Sequence, residues 1–96
     1  MAERMGARKP FSDKNVSDVP DQSGVYNFIN QAGQIVYTGS AGAGRLQDRL
    51  REHLLAGDIP GATRFQIRPT SSTAEARKVE QQLIKRNQPR HNTRGK

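Results

Sequence analysis

Apolar residues alternate with polar ones in three short stretches and recur every three or four residues in two longer ones. Gly24–Ile29 (GVYNFI) and Gln34–Thr38 (QIVYT) are rich in β-branched and aromatic residues and read as strands. Asn30-Gln31-Ala32-Gly33 between them is a short hairpin loop with glycine at its end. A symmetric hairpin sets Tyr26 opposite Tyr37, with both rings on one side of the sheet. After a loop of small residues, Ser40–Gly44, Leu46, Leu50 and Leu54 recur at i, i+4 and i+8. That spacing predicts a helix over Arg45–Ala56, with Gly57 as its stop. Arg64–Arg68 (RFQIR) alternates again and predicts a third strand, followed by a turn at Pro69–Ser72. A last helix is expected from about Ala74 to Arg86, capped by Ser72 or Thr73, with Glu75 favourable in its first turn. Residues 1–22 are polar and carry Pro10 and Pro20, so they read as a partly disordered lead-in. The order β-β-α-β-α predicts an α+β domain, a small three-stranded antiparallel sheet flanked by helices.

Composition narrows the chemistry. With 96 residues there is room for one domain, and with no cysteine there is no thiolate metal site, disulfide or thiol nucleophile. A cysteine-free chain with no apolar run of membrane-spanning length and no leader-like start is expected in the cytoplasm, away from membranes. The net charge is +7. Residues 1–63 hold seven basic and seven acidic residues, whereas residues 64–96 hold nine basic and two acidic ones, Glu75 and Glu80. The whole excess therefore lies in the C-terminal third, and the partner it implies is a polyanion, with nucleic acid the commonest.

The last helix carries an anomaly. At about 100° per residue from Ala76, Val79 falls at about 300°, Leu83 at about 340° and Ile84 at about 80°; Glu80, at about 40°, lies inside the apolar stripe. A carboxylate aimed at a core is costly unless it is paired, hydrogen-bonded or bound to a cation. A buried bridge to arginine and a functional site are the two readings. Arg49 and His53, spaced i, i+4, share a face of the first helix beside the leucine stripe, with Asp48 and Glu52 as counter-charges. Tyr26 and Tyr37 suit either a hairpin core or proton transfer and phosphate contact. The glycines at 42 and 44 lack the spacing of a P-loop.

Together these residues resemble one family. Gly24-Val25-Tyr26, then Tyr37-Thr38-Gly39 ten residues on, is similar to the paired signature of the GIY-YIG nucleases. Leu46-x-x-Arg49-Leu50 resembles that family's arginine motif, with Arg45 a rival for the role, and His53 falls where several members carry histidine. Glu75-Ala76-x3-Glu80-x2-Leu83-Ile84-Lys85 followed by Pro89-x2-Asn92 resembles the glutamate helix and the motif that ends the domain. That C-terminal stretch is especially similar to the nuclease domain of the bacterial excision-repair protein UvrC. The sequence departs from the pattern in three places. Arg49 follows Gly39 by ten residues, about two more than usual; His91 stands in place of tyrosine; and Ser40 stands where UvrC-like domains carry lysine. The likeness places a nuclease domain over residues 23–92, with a basic tail at 93–96.

The resemblance implies a metal-dependent endonuclease that hydrolyses phosphodiester bonds, in DNA rather than RNA, with little sequence specificity of its own. Glu80 would hold a divalent cation, Mg²⁺ or Mn²⁺, and Arg49 would contact the phosphate. Tyr37, Tyr26 and His53 are alternatives for activating the attacking water, and Asn92 would brace the site. Arg45, Lys85, Arg86, Arg90 and Arg94 would hold the nucleic-acid backbone through salt-sensitive contacts. Targeting would come from a partner protein or a homodimer. The alternative is a non-catalytic nucleic-acid-binding module on the same fold. A third reading, a small basic RNA- or ribosome-associated protein, requires Glu80 bridged to arginine.

Overall fold

Every residue of the segment Ser23–Ile29 is buried. That is the signature of a central strand, with neighbours on both edges and cover on both faces. The computed structural model describes residues 5–57, 59 and 61–87. Its elements run β1 (Lys9–Pro10), α1 (Asp13–Ser17), β2 (Ser23–Ile29), β3 (Ile35–Ala41), α2 (Leu46–Ala56), β4 (Arg64–Thr70) and α3 (Thr73–Asn87). The strands form one antiparallel sheet in the order β1-β4-β2-β3, so β3 is an edge. The α+β class holds, with four strands in place of the expected three. The extra strand is β1, two exposed residues paired to Phe65 and Arg64. Such a piece has no alternation to read, which is why the sequence pattern passes over it.

The described part of the lead-in is built into the domain. Val16 of α1 and Val19 are buried in the main apolar cluster. Arg51 of α2 reaches Asp13 at 2.5 Å, and Gln47 donates to the backbone carbonyls of Ser17 and Val19.

Alternation along β2 divides the core into two layers. Tyr26 and Phe28 pack with Leu46, Leu50, Val16 and Phe65 under α1 and α2, while Val25 packs with Ala76, Val79 and Leu83 of α3 on the opposite face. Burying one such leucine or phenylalanine is worth about 1.5–3 kcal/mol. Gly57 ends α2 in the left-handed conformation (φ 59°), donating its N–H to the His53 carbonyl. Of the two proposed caps for α3, Ser72 is the one used: its Oγ accepts from the Glu75 N–H at 3.1 Å. Glu75 in turn accepts from the backbone N–H and hydroxyl of Ser71, and these bonds hold its carboxyl below the usual carboxylate range. Among the described residues no helix is long and apolar enough to cross a membrane.

The hairpin register differs from the symmetric one. Tyr26 pairs with Gly39 and Phe28 with Tyr37, while Ile29 pairs with Ile35, which leaves Val36 as a bulge. Two local features produce the offset. Asn30 closes a longer loop, its side chain accepting from the Gln34 N–H at 2.8 Å, with Gly33 at positive φ (87°). The bulge then adds one more residue. The total shift is two, so the faces are preserved and both tyrosine rings still lie on one side.

Candidate active site

Two glycines explain how the site can form. A Cβ at position 39 would lie 2.5 Å from the Tyr26 hydroxyl oxygen and 2.6 Å from ring carbon Cζ. The ring lies flat across β3 because its cross-strand partner has no side chain. A Cβ at position 24 would lie 2.8 Å from Leu46 Cδ2 and 2.9 Å from the Arg68 carbonyl oxygen. Gly24 therefore lets the first turn of α2 sit directly on the sheet. With Leu46 and Leu50 fully buried, the following turns bring Arg49 and His53 over Tyr26.

Tyr26 has no exposed surface, and its hydroxyl is hydrogen-bonded to His53 Nε2 at 3.0 Å. Its ring stacks on Tyr37 at 6.3 Å between centroids and 21° between planes. Phe28 contacts Tyr26, Tyr37 and His53, so four rings form one cluster. Arg49 donates to Glu52 at 3.1 Å, keeps 43% of its side chain exposed, and lies close enough to the Tyr26 phenol for its charge to lower that group's pKa. Arg45 pairs with Asp48 and Glu52, so Glu52 bridges both arginines at the surface of α2. Of the rivals, Arg49 is the one that reaches the ring cluster.

Burial raises the pKa of the Tyr26 phenol far above its ordinary value, and the neighbouring Tyr37 adds to this; Arg49 works in the other direction, and the Glu80 charge raises it further. Tyr26 is therefore a neutral phenol at neutral pH. It donates to His53 Nε2 when that ring carries its proton on Nδ1. At Arg49, desolvation opposes the charge, but Tyr26 and Glu52 outweigh it and hold the guanidinium above its ordinary value.

Glu80 projects from α3 on the other face of the sheet. It is half-buried, and Ser40 Oγ donates to its Oε1 at 2.7 Å. Among the described residues no ion pair and no other hydrogen bond reaches this carboxylate, so the arginine bridge is not formed. No cluster of three or more acidic or histidine side chains suited to a metal occurs among them either. A lone, partly desolvated carboxylate with an open oxygen suits a hard cation that completes its shell with water and ligand oxygens. Lys85 and Arg86 are exposed on the last turn of α3. Asn92, Arg90 and Arg94 lie outside the described residues.

In the sequence Ser40 stands out only as a departure from a pattern. The available signal was its place two residues after Thr38, on the face of β3 that the Glu80 helix has to cover. Buried Thr38 donates to Asn27 Oδ1 at 2.6 Å, and Asn27 donates to Gln66, so a polar row crosses three strands beside Ser40.

The chain matches the family described as Domain of unknown function (DUF7508) over residues 5–90. It is 34% identical to UvrABC system protein C of Prosthecochloris aestuarii over 94 residues and 34% identical to that of Chlorobaculum tepidum over 95. Those matches cover 88% and 90% of this chain but only 15% of each relative. Among solved structures it is similar to the GIY-YIG N-terminal endonuclease domain of UvrC from Thermotoga maritima bound to its catalytic divalent cation, magnesium. Sequence identity is 30% and the TM-score 0.72, over 83% of this chain and 93% of that one. A point mutant of the same domain, bound to its catalytic divalent cation, gives a TM-score of 0.73 at 30% identity over the same shares of the two chains.

Proposed function

This chain belongs to the GIY-YIG endonuclease family, and from that membership and the site's geometry we propose that it is a metal-dependent endonuclease hydrolysing phosphodiester bonds in DNA, with little sequence specificity of its own. The observation that carries the reading is the pairing of two half-sites. From one face His53 and Arg49 approach the Tyr26 hydroxyl; from α3 on the other, Glu80, which has no ion pair among the described residues, lies near enough for its charge to act on that phenol, so the two halves adjoin at the edge strand β3. The Thermotoga maritima domain, bound to magnesium, supports the choice of cation.

A phosphodiester is anionic and its alkoxide leaving group is poor. A divalent cation, Mg²⁺ or Mn²⁺, supplies charge stabilisation for the leaving and non-bridging oxygens when bound, and Glu80 is the residue that holds it. Arg49, half-exposed and firmly protonated, contacts the phosphate and stabilises the extra charge of the pentacovalent state. Water attacks phosphorus and loses a proton as the bond to the leaving oxygen breaks. Tyr26, Tyr37 and His53, in mutual ring contact, are the alternatives for taking that proton, and burial makes the Tyr26 phenol harder to ionise than an ordinary one. Asn92 braces the site, and Arg45, Lys85, Arg86, Arg90 and Arg94 hold the backbone of the substrate. A DNA-repair setting in the cytoplasm, with targeting by a partner protein or a second copy of the chain, completes the reading.

The test is cleavage of supercoiled plasmid with Mg²⁺ or Mn²⁺ and with EDTA, comparing wild type with Glu80→Ala and Arg49→Ala. The expected result is metal-dependent nicking that each variant lowers by at least about 100-fold. Retardation of DNA in a gel with no cutting of plasmid or branched DNA would replace this reading with that of a binding module.

A further inference from the structure

We propose that Ser40 is a positioning residue that orients the Glu80 carboxylate for its cation. The inference rests on the nuclease reading and assigns a part to a side chain outside the groups that touch substrate. Ser40 lies opposite Val25 in the β2–β3 pairing, so its hydroxyl faces α3. Glu80 stands beside the buried Ala76, Val79 and Leu83 stripe of that helix. The Ser40 Oγ to Glu80 Oε1 distance of 2.7 Å is that of a well-formed O–H···O hydrogen bond.

Geometry makes this bond consequential. The last torsion of a glutamate is broad, so nothing intrinsic to the side chain fixes the plane of its carboxylate. Ser40 fixes it by holding Oε1, and Oε2 is left with no hydrogen bond among the described residues. The hydroxyl is neutral and adds no charge to compete with a cation. Its position is set from the other side of the strand. Gly39, the preceding residue, is the cross-strand partner over which Tyr26 lies. Successive residues of a strand face opposite ways, so positions 39 and 40 tie the tyrosine half-site to the carboxylate half-site through one peptide unit.

The test measures metal binding apart from turnover. Mn²⁺ binding to the full chain is followed by the loss of the free-ion signal in electron paramagnetic resonance, for wild type, Ser40→Ala, Ser40→Val, Ser40→Thr and Glu80→Gln. The Mn²⁺ dependence of plasmid nicking is measured in parallel. Threonine and valine have nearly the same shape and differ by the hydroxyl, so this pair separates hydrogen bonding from packing. Half-saturation is expected to rise about tenfold in Ser40→Ala and Ser40→Val and to stay near wild type in Ser40→Thr. Wild-type Mn²⁺ affinity in folded Ser40→Ala or Ser40→Val, alongside loss of binding in Glu80→Gln, would overturn the role of Ser40 and leave the nuclease reading intact. Equal weakening in Ser40→Thr and Ser40→Val would also overturn it, since packing would then be the cause. A wild type that neither binds Mn²⁺ nor nicks plasmid would overturn both.

Discussion

Replacing Gly39 by alanine puts a methyl group where the Tyr26 phenol lies. The new carbon would sit 2.5 Å from the hydroxyl oxygen, 2.6 Å from Cζ and 2.8 Å from Cε1, so the ring has to move. It has little room, because Tyr26 has no exposed surface and Phe28, Tyr37 and His53 pack around it. Overpacking of this kind costs about 1–3 kcal/mol, and losing the hydrogen bond to His53 adds about 1 kcal/mol. The opposing term is the lower conformational freedom of alanine in the unfolded chain, worth about 0.4–1 kcal/mol in favour of the variant. The position has no positive φ to add strain. The balance is a loss of about 1–3.5 kcal/mol, which for a domain of this size lowers the melting temperature by roughly 4–28 °C. Thermal and denaturant unfolding of Gly39→Ala measure it. The same substitution in a Tyr26→Phe background is expected to cost about 1 kcal/mol less, because the shortest contact and the hydrogen bond are already gone. A melting temperature within about 2 °C of wild type, or equal costs in the two backgrounds, would refute the argument that glycine is there to make room for the phenol.

Three other outcomes follow from named contacts. Because burial raises the Tyr26 pKa, the folded state resists its ionisation: the associated stability is complete below the unfolded value of about 10 and is lost as pH rises above it. The tyrosinate absorbance that distinguishes wild type from Tyr26→Phe should therefore appear only above the ordinary tyrosine range, together with unfolding. Thr38→Val strips the Asn27 amide oxygen of its 2.6 Å donor in a fully buried row and is expected to cost about 1–3 kcal/mol by denaturant titration. Lys85→Ala is expected to reduce the slope of log affinity against log salt by about 0.9 in DNA binding, with no change of sequence preference.

Much of this was readable along the chain. The leucines at 46, 50 and 54 place α2, the alternation around Tyr26 and Tyr37 places the hairpin, and the position of Glu80 in an apolar stripe marks it without reference to any contact. The glycines at 24 and 39 were legible as a spacing, but their physical task, admitting Leu46 and Tyr26, appears only when α2 and β3 are brought against β2.

Periodicity is a local property of a chain and so determines which face each residue takes. It placed both tyrosines on one side, and it put Arg49 and His53 together on one face of their helix. Register, edge pairing and convergence depend on residues far apart in sequence. A five-residue loop and a bulge at Val36 moved Tyr26 from Tyr37 to Gly39 without changing its face. Two exposed residues, Lys9 and Pro10, became a strand only because β4 offered a free edge. The 27-residue separation of Tyr26 from His53, and the 40-residue separation of Ser40 from Glu80, were closed by packing α2 and α3 on opposite faces of the sheet. The sequence by itself determined which chemical groups were present and which way each one faced. The tertiary structure decided which groups meet, and with that the burial that pushes the Tyr26 pKa up.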